Sequence, residues 1–197
     1  MRPQVLPGWA GLRSENAAHR IAVEWDTSSG TKTGVFIPRR DSNSRINVAV
    51  GGRLYPGEHH RARFEVTETP SDLRVEFSSD DGATHVNVAV RFQDDLLGSE
   101  LFEDTAAASA FFESGSVGYS ATREPTRFDG LELVTSSWAV EPAEIIEVES
   151  SFFDDKTQFP VGSAELDCAL VMLNVPVNWN PLERLAVDRQ SSQLSHS

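Results

Sequence analysis

The 197-residue sequence contains one cysteine, Cys168, and only two lysines, Lys32 and Lys156. A single cysteine excludes an intrachain disulfide and any zinc site built from several cysteines. No run approaches the ~18 apolar residues of a membrane-spanning helix. The opening residues 1–20 lack the apolar stretch of a signal peptide, so a soluble, cytoplasmic protein is expected. There is no Gly-x-Ser-x-Gly elbow, phosphate loop or dinucleotide fingerprint. Nothing in the sequence calls for a cofactor or a metal ion.

Thirty acidic residues against seventeen basic ones leave a formal net charge of −13. Phosphate backbones and anionic lipid would repel such a chain, which argues against nucleic-acid and membrane partners. The acids are spread along the sequence, as on a solvated surface. The basic residues are arginines almost throughout. Either a high-salt cytoplasm or a GC-rich genome produces that bias, and neither is a function. With 39% hydrophobic residues the chain is not wholly disordered. One domain over residues 1–187 is expected, followed by a polar, disordered tail over 188–197.

Apolar and polar residues alternate from about residue 19 to 93. In His85–Phe92, Val86, Val88, Val90 and Phe92 share one face while His85, Asn87 and Arg91 share the other. The same period runs through Arg61–Val66 and Leu73–Phe77. Further strands are expected at Arg20–Trp25, Gly34–Pro38, Arg45–Val50, Leu131–Val134, Trp138–Val140, Ile145–Phe153 and Ala164–Leu173. Turn residues such as Ser28-Ser29-Gly30, Pro56-Gly57 and Asp80-Asp81-Gly82 separate the earlier ones. One principal helix is expected near 104–115, capped by Asp104 or Thr105, ended by Gly115 and pinned to the sheet by Phe111 and Phe112. The fold class is β-rich α+β, as an antiparallel sheet or barrel.

Several residues are candidates for chemistry. His59 and His60 are adjacent, so on a strand they face opposite ways and cannot chelate one ion together. Glu58 and His60 share a face, and a carboxylate beside an imidazole makes a general base; two polar residues on a wet strand face is the plainer reading. Arg39, Arg40 and Arg45 could hold a carboxylate or phosphate through guanidinium forks, or form a salt-bridged turn with Asp41. If Glu165 and Asp167 are buried, their acidities fall and one could serve as an acid. Cys168 shares a strand face with Leu166 and Leu170 and reads as a structural thiol.

Three stretches together carry a family resemblance. They are Ala18-His19-Arg20-Ile21-Ala22-Val23-Glu24-Trp25-Asp26; Pro38-Arg39-Arg40-Asp41 running on to Gly51-Gly52-Arg53-Leu54-Tyr55-Pro56-Gly57-Glu58-His59-His60; and Ser150-Ser151-Phe152-Phe153-Asp154-Asp155 with Glu165-Leu166-Asp167-Cys168. Over about residues 5 to 180 the chain resembles the uncharacterised YqjF-like family of the acetoacetate decarboxylase-like superfamily. The resemblance implies a β-barrel or cone of strands around an apolar pocket. The decarboxylases form an imine on a lysine in a Tyr-Pro-Lys-Lys segment. Here Gly57 and Glu58 follow Tyr55-Pro56, and neither lysine falls nearby, so lysine-dependent decarboxylation is not expected. Glu15, in Gly11-Leu12-Arg13-Ser14-Glu15, matches the family's glutamate motif. The chain begins almost at that motif, so an open barrel edge could pair with another subunit as a homo-oligomer.

The leading expectation is a module that binds a small apolar carboxylate or carbonyl compound, with Arg45, Arg40 and His59 as contacts. The alternatives are a lysine-independent lyase, hydratase or lactonase using Glu58, His60 and Glu15 as catalytic groups, and a structural protein with a filled barrel.

Overall fold

The structure is a computed structural model that describes residues 14–51 and 56–187. The expected tail over 188–197, most of the Gly11–Glu15 motif and residues 52–55 of the Gly-Gly-Arg-Leu-Tyr segment lie outside the described residues.

Two long strands, β1 (Asn16–Thr27) and β2 (Gly30–Ser42), form an antiparallel hairpin turned at Ser28 and Ser29. On its far side β2 is divided between two partners. Its Val35–Ile37 stretch pairs in parallel with β6 (Val117–Ala121), and Arg40–Ser42 pairs in parallel with β3 (His59–Glu68). From β6 the sheet continues antiparallel through β7 (Arg127–Thr135) to β10 (Val177–Ala186). From β3 it continues antiparallel through β4 (Asp72–Ser79), β5 (His85–Phe92) and β8 (Glu141–Ser150) to the three-residue β9 (Ala169–Val171). Three short helices complete the chain: α1 (Arg45–Val50), α2 (Thr105–Ser114) and α3 (Ser151–Asp154).

The β-rich fold class is thus observed, but the wholly antiparallel arrangement is corrected to a mixed sheet. Among the described residues the sheet is open, with β10 and β9 at its ends. Both parallel pairings fall on β2, and parallel neighbours need a crossover connection rather than a hairpin.

Local chemistry explains the other departures. Ile46, Val48 and Val50 alternate as a strand would, yet Arg45–Val50 is helical. The Ser44 hydroxyl accepts the Asn47 backbone N–H at 3.2 Å as an N-cap, and the Asn47 side-chain amide donates to Asn16 Oδ1 at 3.1 Å. The strand expected through Phe153 stops at Ser150, where α3 begins. Trp138–Val140 is irregular, and of Ala164–Leu173 only Ala169–Val171 is paired.

Helix α2 has its expected bounds. Asp104 caps it by accepting the Ala107 N–H at 2.7 Å, and Gly115 follows its last residue. Its pinning residue is Ala108, which is fully buried; Phe111 and Phe112 remain 48% and 39% exposed. The core lies elsewhere, in Ile37, Ala62, Phe77, Val90, Leu131, Ala143 and Phe152. Phe77 stacks on Phe64 across β3 and β4 with ring centroids 4.7 Å apart. No helix among the described residues is long and apolar enough to cross a membrane.

Candidate functional site

Opposite His19, β1 and β2 run in plain antiparallel register, but between His19 and Ile21 the register shifts. His19 pairs with Arg39 and Ile21 with Phe36, so Ile37 and Pro38 together face Arg20. Proline cannot donate to a ladder, and a bulge is where a strand tolerates it. The extra residue reverses the alternation. Straight pairing would set Arg39 on the face of Val35 and Ile37; instead Arg40 is brought there, directly opposite Ala18.

The two neighbouring arginines therefore have different surroundings. Arg39 donates through Nη2 to Asp41 Oδ1 at 2.8 Å and to Asp81 Oδ1 at 3.0 Å, while His60 Nδ1 lies 3.1 Å from Asp81 Oδ2. Burial alone would raise the Asp81 carboxyl. Hydrogen bonds from Ser79, the Ala83 N–H and Arg39 outweigh it and hold the group well below the usual carboxylate range. This is the salt-bridged arrangement weighed for the run, and it satisfies Arg39 and fully buried Asp41.

Arg40 has no carboxylate partner among the described residues. Only 8% exposed, it donates from Nε to Ser120 Oγ at 3.0 Å, and its Nη2 has no hydrogen-bond partner among the described residues. Burial, helped by the nearby charge of Arg20, lowers the guanidinium from its usual value to about 10. Gly57 makes room for it. Gly57 has φ +80°, and a Cβ there would lie 2.5 Å from Ser120 Cβ and 3.4 Å from Arg40 Nε. A side chain at this position would collide with Ser120.

Arg40 and Arg20 stand at one end of a cavity of about 400 Å³ between the β1–β2 hairpin, β6, β7, β10 and α2. Such a volume falls in the range of small-molecule sites. Ile37, Leu131 and Leu133 give it an apolar lining, to which Trp138, Trp179 and Phe111 and Phe112 of α2 add aromatic surface. Both phenylalanines lie against Phe102, with centroids 5.4 and 6.2 Å away. Glu24 and Thr33, paired across β1 and β2, mark the end away from Arg40. Neither lysine borders the cavity.

Of the residues singled out from sequence, the cavity takes Arg40. His59 lies beside it on β3, buried, with Nδ1 3.2 Å from the Gly57 carbonyl; burial and then the Arg40 charge lower its pKa. Glu58 borders a second, polar cavity of about 250 Å³ and accepts Arg123 Nε at 3.2 Å. His60 faces Asp81 on the other side of the sheet, and no hydrogen bond joins it to Glu58. Arg45 is exposed at the start of α1, and exposed Glu15 pairs through its backbone with Asn43. Asp167 is not an acid of raised pKa. The Ser99 hydroxyl at 2.6 Å and the Glu100 N–H hold its carboxyl low. Burial and Asp167 both push the Cys168 thiol up, which disfavours thiolate and suits an inert cysteine.

Arg20, Glu24, Trp138 and Trp179 were not singled out from sequence. Pro38 inside a strand pattern was the available sign of the bulge. Nothing local marks the two tryptophans, which reach the cavity from separate segments. Among the described residues no group of three or more His, Cys, Asp or Glu side chains could hold a metal ion. Comparison of the chain with protein-family models, curated proteins and solved structures finds no match.

Proposed function

We propose that this protein binds a small, largely apolar molecule carrying a carboxylate or carbonyl oxygen in the cavity beneath α2. One observation carries the reading: a buried guanidinium whose Nη2 is unpartnered among the described residues borders a cavity lined by leucine, tryptophan and phenylalanine. A buried unmet donor is costly, and a ligand oxygen is the partner that would satisfy it. The resemblance to the YqjF-like family supports the same reading, with the open sheet as an incomplete cone of the acetoacetate decarboxylase-like type. A small-molecule binder is preferred over an acid/base enzyme working through Glu58 and His60, because these two are engaged by Arg123 and Asp81 away from the cavity.

The test is a titration with anilinonaphthalene sulfonate, an anionic apolar dye, followed by its emission and by energy transfer from Trp138 and Trp179. Saturable binding of one dye per chain is expected. Ala22→Phe, which fills the cavity from β1, should weaken it by about tenfold or more while circular dichroism stays native. Dye binding that is unsaturable, or indifferent to Ala22→Phe, would sink the proposal.

A further inference from the structure

The cavity has chemically different ends, and their separation can be read from the strand that runs along it. Arg20, Ala22 and Glu24 alternate onto the same side of β1, and all three border the cavity. At ~3.3 Å per residue, four residues place Arg20 and Glu24 roughly 13 Å apart along the strand. Arg40 joins Arg20 at the cationic end through the bulge, and Glu24 stands at the other end beside Thr33. Ala22, Val35, Ile37, Leu131 and Leu133 give the cavity a largely apolar lining.

We infer that the ligand is a monocarboxylate with an extended apolar body, its head group between Arg20 and Arg40 and its tail end beside Glu24. This inference rests on the cavity being a binding site and adds the charge, orientation and length of the occupant.

Three observations support it. Arg20 and Arg40 have no ion pair among the described residues, unlike Arg39 on the same hairpin. Two like charges at one end of the cavity, Arg40 buried and Arg20 more exposed, oppose one another, and each arginine is shifted below its usual value, chiefly by burial. One anion relieves both effects. A guanidinium fork also accepts a carboxylate in two parallel hydrogen bonds, whereas a hydroxyl or a carbonyl offers a single neutral oxygen. The far end carries the opposite charge, from Glu24. A second carboxylate would meet the Glu24 carboxylate, with no cation bordering that end of the cavity. The site therefore discriminates monoacid from diacid.

The probes are decanoate, decanol and decanedioate, each titrated against full-length protein by tryptophan emission and by calorimetry. Decanoate should bind about tenfold or more tightly than decanol, because a charge-assisted hydrogen bond outweighs a neutral one by about that factor. Decanedioate should bind about tenfold more weakly than decanoate. Arg40→Gln should collapse the preference for acid over alcohol. Arg20→Gln, at a more exposed position, should reduce it part of the way and serves if Arg40→Gln does not fold. Glu24→Gln should narrow the gap between diacid and monoacid.

Equal affinity for decanoate and decanol would overturn the arginine anchor while leaving a cavity that binds apolar molecules. Equal affinity for decanoate and decanedioate, or a Glu24→Gln protein that still rejects the diacid, would overturn the assigned orientation. Failure of all three probes to bind would remove the cavity reading and this inference with it.

Discussion

Among the described residues Arg40 makes one side-chain hydrogen bond from a group with five donors, in a position where water scarcely reaches it. A protein built only for stability would place an apolar side chain there. Replacing a buried charge by an apolar group of similar volume is often stabilising, provided no partner is orphaned. Ser120, 1% exposed, is that partner, so the change must be paired. Arg40→Met with Ser120→Ala should raise the stability of the ligand-free protein by about 1 kcal/mol and abolish the preference for carboxylates. Urea denaturation measures the first and titration with decanoate the second. A stability loss of similar size would mean that Arg40 is a structural residue. The sequence showed an Arg-Arg-Asp run without showing which arginine would be neutralised. That choice depends on the bulge at Ile37 and Pro38, which a period-two reading passes over.

At the scale of elements, legibility follows how local the determining interactions are. Helix α2 was readable because its cap, its alanines and its terminating glycine are all contiguous. Strands β3, β4 and β5 were readable because each alternates cleanly and hairpin turns join them. Helix α1 was misread because its alternation suits a strand, whereas Asn47 is fixed by Asn16, distant in sequence. Strands β6 and β10 gave almost no signal. Gly118 and Ser120 occupy positions where a side chain pattern would otherwise show, and Pro181 interrupts β10 at the edge of the sheet.

Helix α2 borders the cavity through Phe111 and Phe112 yet buries only Ala108, and the Val140 N–H donating to Ser109 Oγ at 3.1 Å ties it to the segment between β7 and β8. Its cap therefore matters more than it would in a well-packed helix. Asp104→Ala should cost about 1 kcal/mol of local stability. Hydrogen exchange should accelerate at the α2 amides before it changes in β3, β4 or β5. Uniform acceleration across all of them would show that α2 is integral to the global unfolding unit.

For the whole molecule, the net charge of −13 makes self-repulsion the dominant long-range term. Ion pairs such as Arg74–Glu147 and Arg91–Asp72 join side chains 41–55% exposed and contribute little each. Salt weakens both, but the repulsion summed over thirty carboxylates is the larger. Raising sodium chloride from about 0.01 M to about 1 M shortens the screening length from ~30 Å to ~3 Å. The thermal midpoint should rise over that interval in a calorimetric series. A fall would show that paired charges outweigh the repulsion.

The division of β2 between two parallel partners has a consequence for how the chain reaches this structure. Hairpins β1–β2 and β3–β4–β5 close over short stretches of chain. Joining Val35–Ile37 to Gly118–Ser120 requires segments about eighty residues apart to meet. Such pairings lose more chain entropy before they gain contacts, so they form slowly and late. The cavity has β2 as one wall and β6 as its neighbour. A refolding chain would thus acquire its hairpins first and its ability to bind a ligand only in the slowest phase.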